Sequence, residues 1–151
     1  MLVALTIVST ANAAGRRVPF SATVRAAAID FSGSEFVFTG EFTSKRLGHG
    51  SVVYTTRGSS VTGRRSAKLR FYTPLGRINA QTQSIFVENS DGTVTNDGTG
   101  VITGGTGRYR DVYGWFIVLA TLDPNTPDKT TFFMKEGTLV IPATVRAPSI
   151  R

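Results

Sequence analysis

The sequence predicts an all-β protein, built as a single eight-stranded antiparallel β-barrel, and three observations carry this prediction. Ten of the 151 residues are Phe, and the other apolar positions are rich in Val and Ile, which pack well on pleated sheets. Short stretches that alternate between polar and apolar residues recur along the chain, with turn-forming residues between them. No stretch keeps the 3.6-residue period of an amphipathic helix.

In the first half of the chain, alternation is clearest in the second and fourth predicted strands. Phe36, Phe38 and Phe42 share one face of the second strand, and Leu69 and Phe71 share one face of the fourth. A period of two with one apolar face is typical of a strand that is half-buried against a core. The strands predicted in this half are 18–29, 35–42, 51–56 and 67–73.

The second half contains the predicted strands 77–88, 93–103, 112–122 and 130–141. The first of these carries polar and apolar residues on both faces, and one face contains Ile78, Ala80, Thr82, Ser84 and Phe86. Mixed faces are expected where a strand lines a partly polar cavity or an oligomer contact. The segment Asn-Ser-Asp-Gly at 89–92 is a strong turn signal.

A glycine-dense connection that includes Gly104, Gly105 and Gly107 joins the sixth and seventh strands. Glycine reaches backbone conformations that other residues avoid, so this segment can reverse the chain sharply. It lacks the Gly-x-x-x-x-Gly-Lys-Ser/Thr pattern of a phosphate-binding loop, and it leads into a strand instead of a helix. We therefore interpret it as a structural turn and not as a nucleotide site.

The length and a hydrophobic content of 40% fit one globular domain. Residues 1–13 are uncharged and mostly apolar, and Ala11 and Ala13 have the small-x-small spacing of a signal-peptide cleavage site, so we expect a secreted protein. A buried first strand is the alternative for this segment. Residues 14–142 are expected to form the barrel, and 143–151 a flexible basic tail. The apolar start is too short for a transmembrane helix, which needs about 20 apolar residues.

Composition limits the chemistry that is open to this chain. There is no Cys, and the single His, His49, lies in a Gly-His-Gly turn, so neither a zinc site nor a His-dependent triad is expected. The Asn and Asp residues at 89–97 are ordinary turn formers without a complete calcium ligand set. We therefore predict no metal and no cofactor. The net charge of +7 attracts anionic surfaces, but the basic residues are spread along the chain, which favours loose association with acidic polymers or lipids over specific nucleic-acid binding.

Several segments carry a family resemblance when they are taken in chain order. The most specific is Val-Ile-Thr-Gly-Gly-Thr-Gly-Arg-Tyr at 101–109, followed by Tyr-Gly at 113–114. The others are Arg-Leu-Gly-His-Gly-Ser-Val-Val at 46–53, Leu-Arg-Phe-Tyr at 69–72, Gly-Arg-Ile at 76–78 and Thr-Phe-Phe-Met-Lys-Glu-Gly at 131–137. Together they resemble the allene oxide cyclase barrel superfamily, and the glycine turn is also similar to that of dirigent proteins. The resemblance implies a calycin-like barrel with a mainly apolar cavity, commonly assembled as a homodimer or homotrimer.

The resemblance also implies cofactor-free cyclisation or coupling of a small hydrophobic ligand, which such a barrel confines near its reactive geometry. The sequence departs from the family patterns at two places, and these departures limit what the resemblance implies. No segment here aligns with the early Glu-containing strand motif of the plant cyclases, and Tyr113 stands where dirigent proteins usually have Arg. Neither plant activity is therefore carried over to this chain.

An enzyme of this kind would use a carboxylate or a phenol inside the apolar barrel, where loss of hydration raises a carboxyl pKa toward neutrality. The predicted catalytic residues are Glu41, Tyr72 and Tyr113. The predicted ligand-binding residues are Phe38, Arg70, Tyr109, Arg110 and Trp115, with the arginines available for a carboxylate or enolate oxygen. The alternative for each residue is a purely structural role as a solvated strand residue, a turn residue or a packed ring.

Two functions remain open at this point. The first is a barrel that binds a small hydrophobic ligand and guides its cyclisation or coupling. The second is a noncatalytic secreted carrier or surface-associated barrel protein whose core is filled by its own Phe side chains. An open apolar cavity with an inward-facing Glu or Tyr of shifted pKa favours the first function, and a filled barrel favours the second.

Overall fold

The computed structural model describes residues 15–32, 34–60 and 62–143, which form a closed antiparallel barrel of eight strands. The strands are β1 (Arg16–Ser32), β2 (Glu35–Ser44), β3 (Gly48–Gly58), β4 (Gly63–Thr73), β5 (Gly76–Glu88), β6 (Val94–Gly105), β7 (Tyr113–Leu122) and β8 (Thr130–Ile141). Each strand pairs with the next, and β8 pairs with β1 to close the barrel. The fold predicted from the sequence is therefore confirmed. The predicted signal peptide and residues 144–151 of the predicted tail lie outside the described residues.

The core lies in the lumen of the barrel, because successive side chains of a strand point alternately inward and outward. The apolar faces predicted for β2 and β4 point inward, as does the face of β5 that begins with Ile78. Aromatic rings from different strands meet there, with ring centroids 5.2 Å apart for Phe42 and Phe71 and 5.3 Å apart for Phe38 and Phe132. These contacts place a continuous aromatic core along the lumen.

Because the strands alternate in direction, the barrel has two distinct ends. The end we call the terminal end carries the start of β1, the end of β8 and the connections β2–β3, β4–β5 and β6–β7. The loop end carries the other connections, of which β7–β8 is held against β1 by a hydrogen bond from the Ala28 N–H to the Pro127 carbonyl at 2.9 Å. Leu47, Tyr109 and Val112 are buried in connections of the terminal end and extend the core there.

The glycine-dense connection joins the antiparallel neighbours β6 and β7, as predicted. Gly104 and Gly107 have φ angles of 117° and 58°, in the region that favours glycine. Between them the Thr106 N–H donates to the Arg77 carbonyl at 2.8 Å, so the connection folds onto the start of β5. The structure adds a short 3₁₀ turn, Gly107–Tyr109, that the strand pattern did not indicate. Within the described residues, no helix has the length and apolar character needed to cross a bilayer.

Candidate functional site

A cluster of polar side chains interrupts the aromatic core of the lumen. Tyr54 of β3, Thr82 and Ser84 of β5 and Asn96 of β6 are all buried and inward-facing. The Asn96 Nδ2 group donates a hydrogen bond to the Tyr54 hydroxyl oxygen at 3.5 Å. The Tyr54 ring packs on Phe132, with centroids 4.9 Å apart, so Tyr54 belongs both to the aromatic core and to the polar cluster.

Several oxygens of this cluster have no hydrogen-bond partner within the described residues: Thr82 Oγ1, Ser84 Oγ and Asn96 Oδ1. Burial raises the pKa of Tyr54, while hydrogen bonding from the Thr82, Asn96 and Ser84 side chains and the Arg65 charge oppose that rise. The Thr82 and Ser84 hydroxyls lie close to the phenol without reaching the geometry of a full hydrogen bond. Tyr54 is therefore a neutral phenol at physiological pH, able both to donate and to accept a hydrogen bond. Buried oxygens without partners are uncommon in folded proteins, and they mark this cluster as the candidate polar site of the lumen.

Arg65 of β4 is buried at 2% exposure, with its side chain inside the barrel near the loop end. Its guanidinium donates to the Thr56 hydroxyl oxygen at 2.9 Å, to the Ser34 carbonyl at 3.1 Å and to the Ser60 carbonyl. The guanidinium carbon also lies 4.0 Å from the centroid of the Phe36 ring. Burial lowers the pKa of Arg65 and Tyr54 acts against that shift, but a guanidinium remains charged at neutral pH. Arg65 thus ties the β1–β2 and β3–β4 connections to the core.

The lumen holds little free space next to these aromatic side chains. A cavity beneath the β7–β8 connection, between the Phe36, Phe38 and Phe86 rings and Pro124 and Pro127, has a volume of about 20 Å³. That volume admits about one water molecule. Packing is equally tight further along the barrel, where a Cβ atom added at Gly100 would lie 2.3 Å from the Phe116 ring.

The residues predicted to be catalytic do not lie in the lumen. Glu41 and Tyr72 each adjoin an inward-facing Phe in the sequence, so alternation places their side chains on the outer surface. Tyr72 is 38% exposed and Tyr113 is 52% exposed. The expectation that these groups face the apolar interior is therefore wrong, although their role in catalysis stays a prediction. The phenol that does face the interior is that of Tyr54.

The structure does not bring the predicted ligand-binding residues together. Phe38 lines the small cavity in the lumen, and Tyr109 is buried in the β6–β7 connection at the terminal end. Arg70 and Arg110 are exposed, and Trp115 is 49% exposed on the outer face of β7. The prediction that these residues bind a ligand remains untested, but they cannot form one common site.

Arg70 instead lies in a groove on the outer surface of β3, β4 and β5, with a volume of about 420 Å³. Arg57 and Lys68 also line this groove, together with the amides of Gln81 and Gln83. The Arg57 side chain is paired with Glu35, with Nε 2.5 Å from a carboxylate oxygen. The groove is therefore polar and basic, unlike the apolar lumen.

The sequence already contained a signal for the residues that the site predictions missed. Extending the alternation of β3 from Val52 places Tyr54 inside, and extending that of β4 back from Phe71 places Arg65 inside. Asn96 follows from the same alternation in β6. Within the described part of the chain, no group of His, Cys, Asp and Glu side chains is arranged to hold a metal ion.

Comparisons of the chain with protein-family models, with curated proteins and with solved structures found no match. The resemblance to the allene oxide cyclase barrel superfamily therefore stays a prediction. The described residues form an aromatic lumen that contains a small polar cluster, and a basic groove lies on the outer surface.

Proposed function

We propose that this chain is a noncatalytic, surface-associated barrel protein whose core is filled by its own side chains and whose partners bind to its outer surface. The observation that carries this proposal is the cavity of about 20 Å³ among the Phe rings of the lumen. Pockets for small organic ligands usually measure about 300–1,000 Å³. The volume beside these rings is therefore more than tenfold too small for confinement of a substrate.

Opening the lumen would require displacement of packed aromatic rings. Phe38, Phe132 and Tyr54 are each in ring contact with the other two, and each is almost completely buried. Truncation of a buried Phe lowers the free energy of unfolding by about 3–5 kcal/mol in comparable cores, and we expect displacement of these rings to have a cost of the same order. A ligand would have to offset that cost before it contributed any net affinity.

Small-ligand binding in the lumen is a second candidate, and the unpartnered oxygens of Thr82, Ser84 and Asn96 favour it. A small, mainly apolar molecule with one polar group could satisfy these oxygens and contact Tyr54. Cofactor-free cyclisation or coupling would then use the neutral Tyr54 phenol as a hydrogen-bond donor to an oxygen of the ligand. This candidate retains the hydrophobic ligand that the family resemblance implies, but it moves the reacting group to a residue inside the barrel.

A cavity-opening variant distinguishes the two candidates. Phe132→Ala removes a ring from the centre of the lumen, whereas its neighbour Phe133 points outward, so Phe133→Ala is the matched control. We expect benzene to stabilise Phe132→Ala, as apolar cavities of this kind bind such probes. At a benzene concentration ten times the dissociation constant, the gain is about 1.4 kcal/mol, or about 3–6 °C in the midpoint of thermal unfolding.

The wild type and Phe133→Ala should show no such gain. If benzene or indole stabilises the wild type as strongly as Phe132→Ala, the lumen is accessible and the second candidate replaces the first. Phe132→Val provides the same test with a smaller loss of packing if Phe132→Ala does not fold.

Secretion and assembly into a homodimer or homotrimer are parts of the same proposal that rest on the sequence. The segment that would direct export, residues 1–13, lies outside the described residues. The intact mass of protein recovered from the medium of expressing cells tests cleavage near Ala13, and light scattering of the purified protein tests assembly.

A further inference from the structure

The two ends of the barrel differ in charge. The terminal end carries a set of basic residues on its strand ends and connections: Arg16, Arg17, Lys45, Arg46, Arg77, Arg108 and Arg110. Asp111 is the acidic residue in the described part of these connections. The loop end has a different balance, with Asp30, Glu35, Glu88, Asp91, Asp123 and Asp128 against Arg57, Arg64, Arg65 and Lys129. Basic residues that are spread along the sequence are thus concentrated at the terminal end of the folded barrel.

The basic side chains of the terminal end are available to a partner. All of them except Arg77 are exposed. Among the described residues, the ion pair of Arg57 with Glu35 lies at the loop end, and no carboxylate is paired with a basic residue of the terminal end. A surface on which basic residues outnumber the acidic Asp111, with none of them ion-paired in the described part of the chain, creates a positive potential that attracts anions.

An apolar side chain stands beside these charges. Leu75 occupies the β4–β5 turn and is 52% exposed. Its carbonyl accepts a hydrogen bond from the Arg108 N–H at 3.0 Å, and the Arg77 N–H donates to the Thr106 hydroxyl oxygen at 3.1 Å. These hydrogen bonds connect the β4–β5 turn and the start of β5 to the β6–β7 connection. Exposed Tyr113 lies at the same end.

We propose that the terminal end docks on an anionic lipid bilayer, with its basic side chains on the lipid headgroups and Leu75 in the interfacial layer. Charge alone would also attract an anionic polymer, but the exposed Leu75 side chain contributes to binding only where the partner offers apolar surface. The less basic loop end would then point away from the membrane. This inference rests on the proposed function, in which the barrel acts through its outer surface.

The test uses sedimentation of the full chain with phosphatidylcholine vesicles that contain phosphatidylglycerol, and with vesicles of phosphatidylcholine alone. We expect binding to the anionic vesicles only, and weaker binding as salt rises from about 50 mM to about 500 mM, because salt screens the attraction. Lys45→Gln with Arg46→Gln should weaken binding about 25-fold, at about fivefold per charge. Leu75→Ser should weaken it about five- to tenfold.

The matched control is Arg64→Gln with Lys129→Gln, which removes the same charge from exposed positions at the loop end. It should change vesicle binding less than about twofold, because these charges lie at the opposite end of the barrel and salt screens them from the bilayer. Equal weakening by the two double variants would overturn the proposal, because net charge alone would then explain binding. All of these substitutions are at exposed positions, so unchanged thermal unfolding midpoints confirm that the variants are folded.

Double-stranded DNA, whose base faces are stacked inside the duplex, serves as the anionic polymer probe. Tighter binding to DNA than to anionic vesicles, with no effect of Leu75→Ser on vesicle binding, would overturn the proposal in favour of a polymer partner. Absence of vesicle binding at about 50 mM salt would also overturn it. Neither result bears on the filled lumen, since the benzene test of Phe132→Ala reports on that separately.

Discussion

Replacement of Arg65 by Met tests whether the buried guanidinium holds the loop end of the barrel together. Met retains an unbranched apolar side chain of similar reach, so the substitution removes the charge and its hydrogen bonds with little change in packing. The bonds that disappear are those to Thr56, Ser34 and Ser60. Contact of the cation with the Phe36 ring disappears as well.

The expected loss follows from these contacts. Each hydrogen bond contributes about 0.5–1.5 kcal/mol net, and those to Ser34, Ser60 and the Thr56 hydroxyl together contribute about 1.5–4.5 kcal/mol. Contact with an aromatic ring at a desolvated site adds about 1–2 kcal/mol. Relief of the cost of burying a charge offsets part of this sum. We therefore expect Arg65→Met to lower the free energy of unfolding by about 3 kcal/mol, or about 6–12 °C in the unfolding midpoint of a domain of this size.

Urea unfolding followed by far-ultraviolet circular dichroism measures this loss, with equal m-values as the sign that both proteins unfold in the same two-state manner. Arg64→Met is the matched control, since Arg64 is the preceding residue of the same strand and is exposed. Its effect should stay within about 0.5 kcal/mol. If Arg65→Met is as stable as Arg64→Met, the guanidinium contributes nothing net and our account of the loop end is refuted.

Two further predictions concern the interior hydroxyl groups. The pKa of Tyr54 is raised in the folded state. Its contribution to the free energy of unfolding is therefore complete below the ordinary tyrosine pKa and is lost as pH rises through the folded value. Between pH 9 and pH 11, the free energy of unfolding of the wild type should fall by up to about 1.4 kcal/mol more than that of Tyr54→Phe. Thermal unfolding at both pH values measures this, with Tyr72→Phe on the outer surface as control, and an equal loss in wild type and Tyr54→Phe would contradict it. Ser84→Ala should be neutral or slightly stabilising, because the Ser84 hydroxyl has no partner in the described structure. Ser44→Ala should lower the free energy of unfolding by about 1–2 kcal/mol, because the Ser44 hydroxyl donates to the Ser21 carbonyl at 2.7 Å. Urea unfolding separates the two Ser variants, and a larger loss for Ser84→Ala would show that this hydroxyl is in fact partnered.

The fold was predictable because alternation and turn residues are local signals. The inward faces of β2 and β4 follow directly from the positions of Phe38 and Phe71 in their strands. The predicted fourth strand nevertheless began at residue 67, whereas β4 begins at Gly63. That shorter strand left out Arg65, a residue type that is rarely buried and so gives no signal of its own.

The candidate site was less predictable because residue type alone does not determine whether a carboxylate or a phenol faces the lumen. Tyr72 and Tyr113 are phenols, but the position of Tyr72 next to Phe71 already puts it on the opposite face. Tyr54 occupies an inward position of β3, which the alternation from Val52 indicates. The volume of the lumen and the difference in charge between the ends depend on how all strands meet in space, which no single segment encodes.

Closure of the barrel pairs its first and last strands, with Arg16 of β1 opposite Ile141 of β8. Until this pairing forms, both strands present unpaired edges, which can join to other chains. Contacts between distant parts of a chain also form slowly, because the intervening segment must first lose conformational entropy. We therefore expect the pairing of β1 with β8 to form late in folding, and the chain to be most prone to aggregation before it forms.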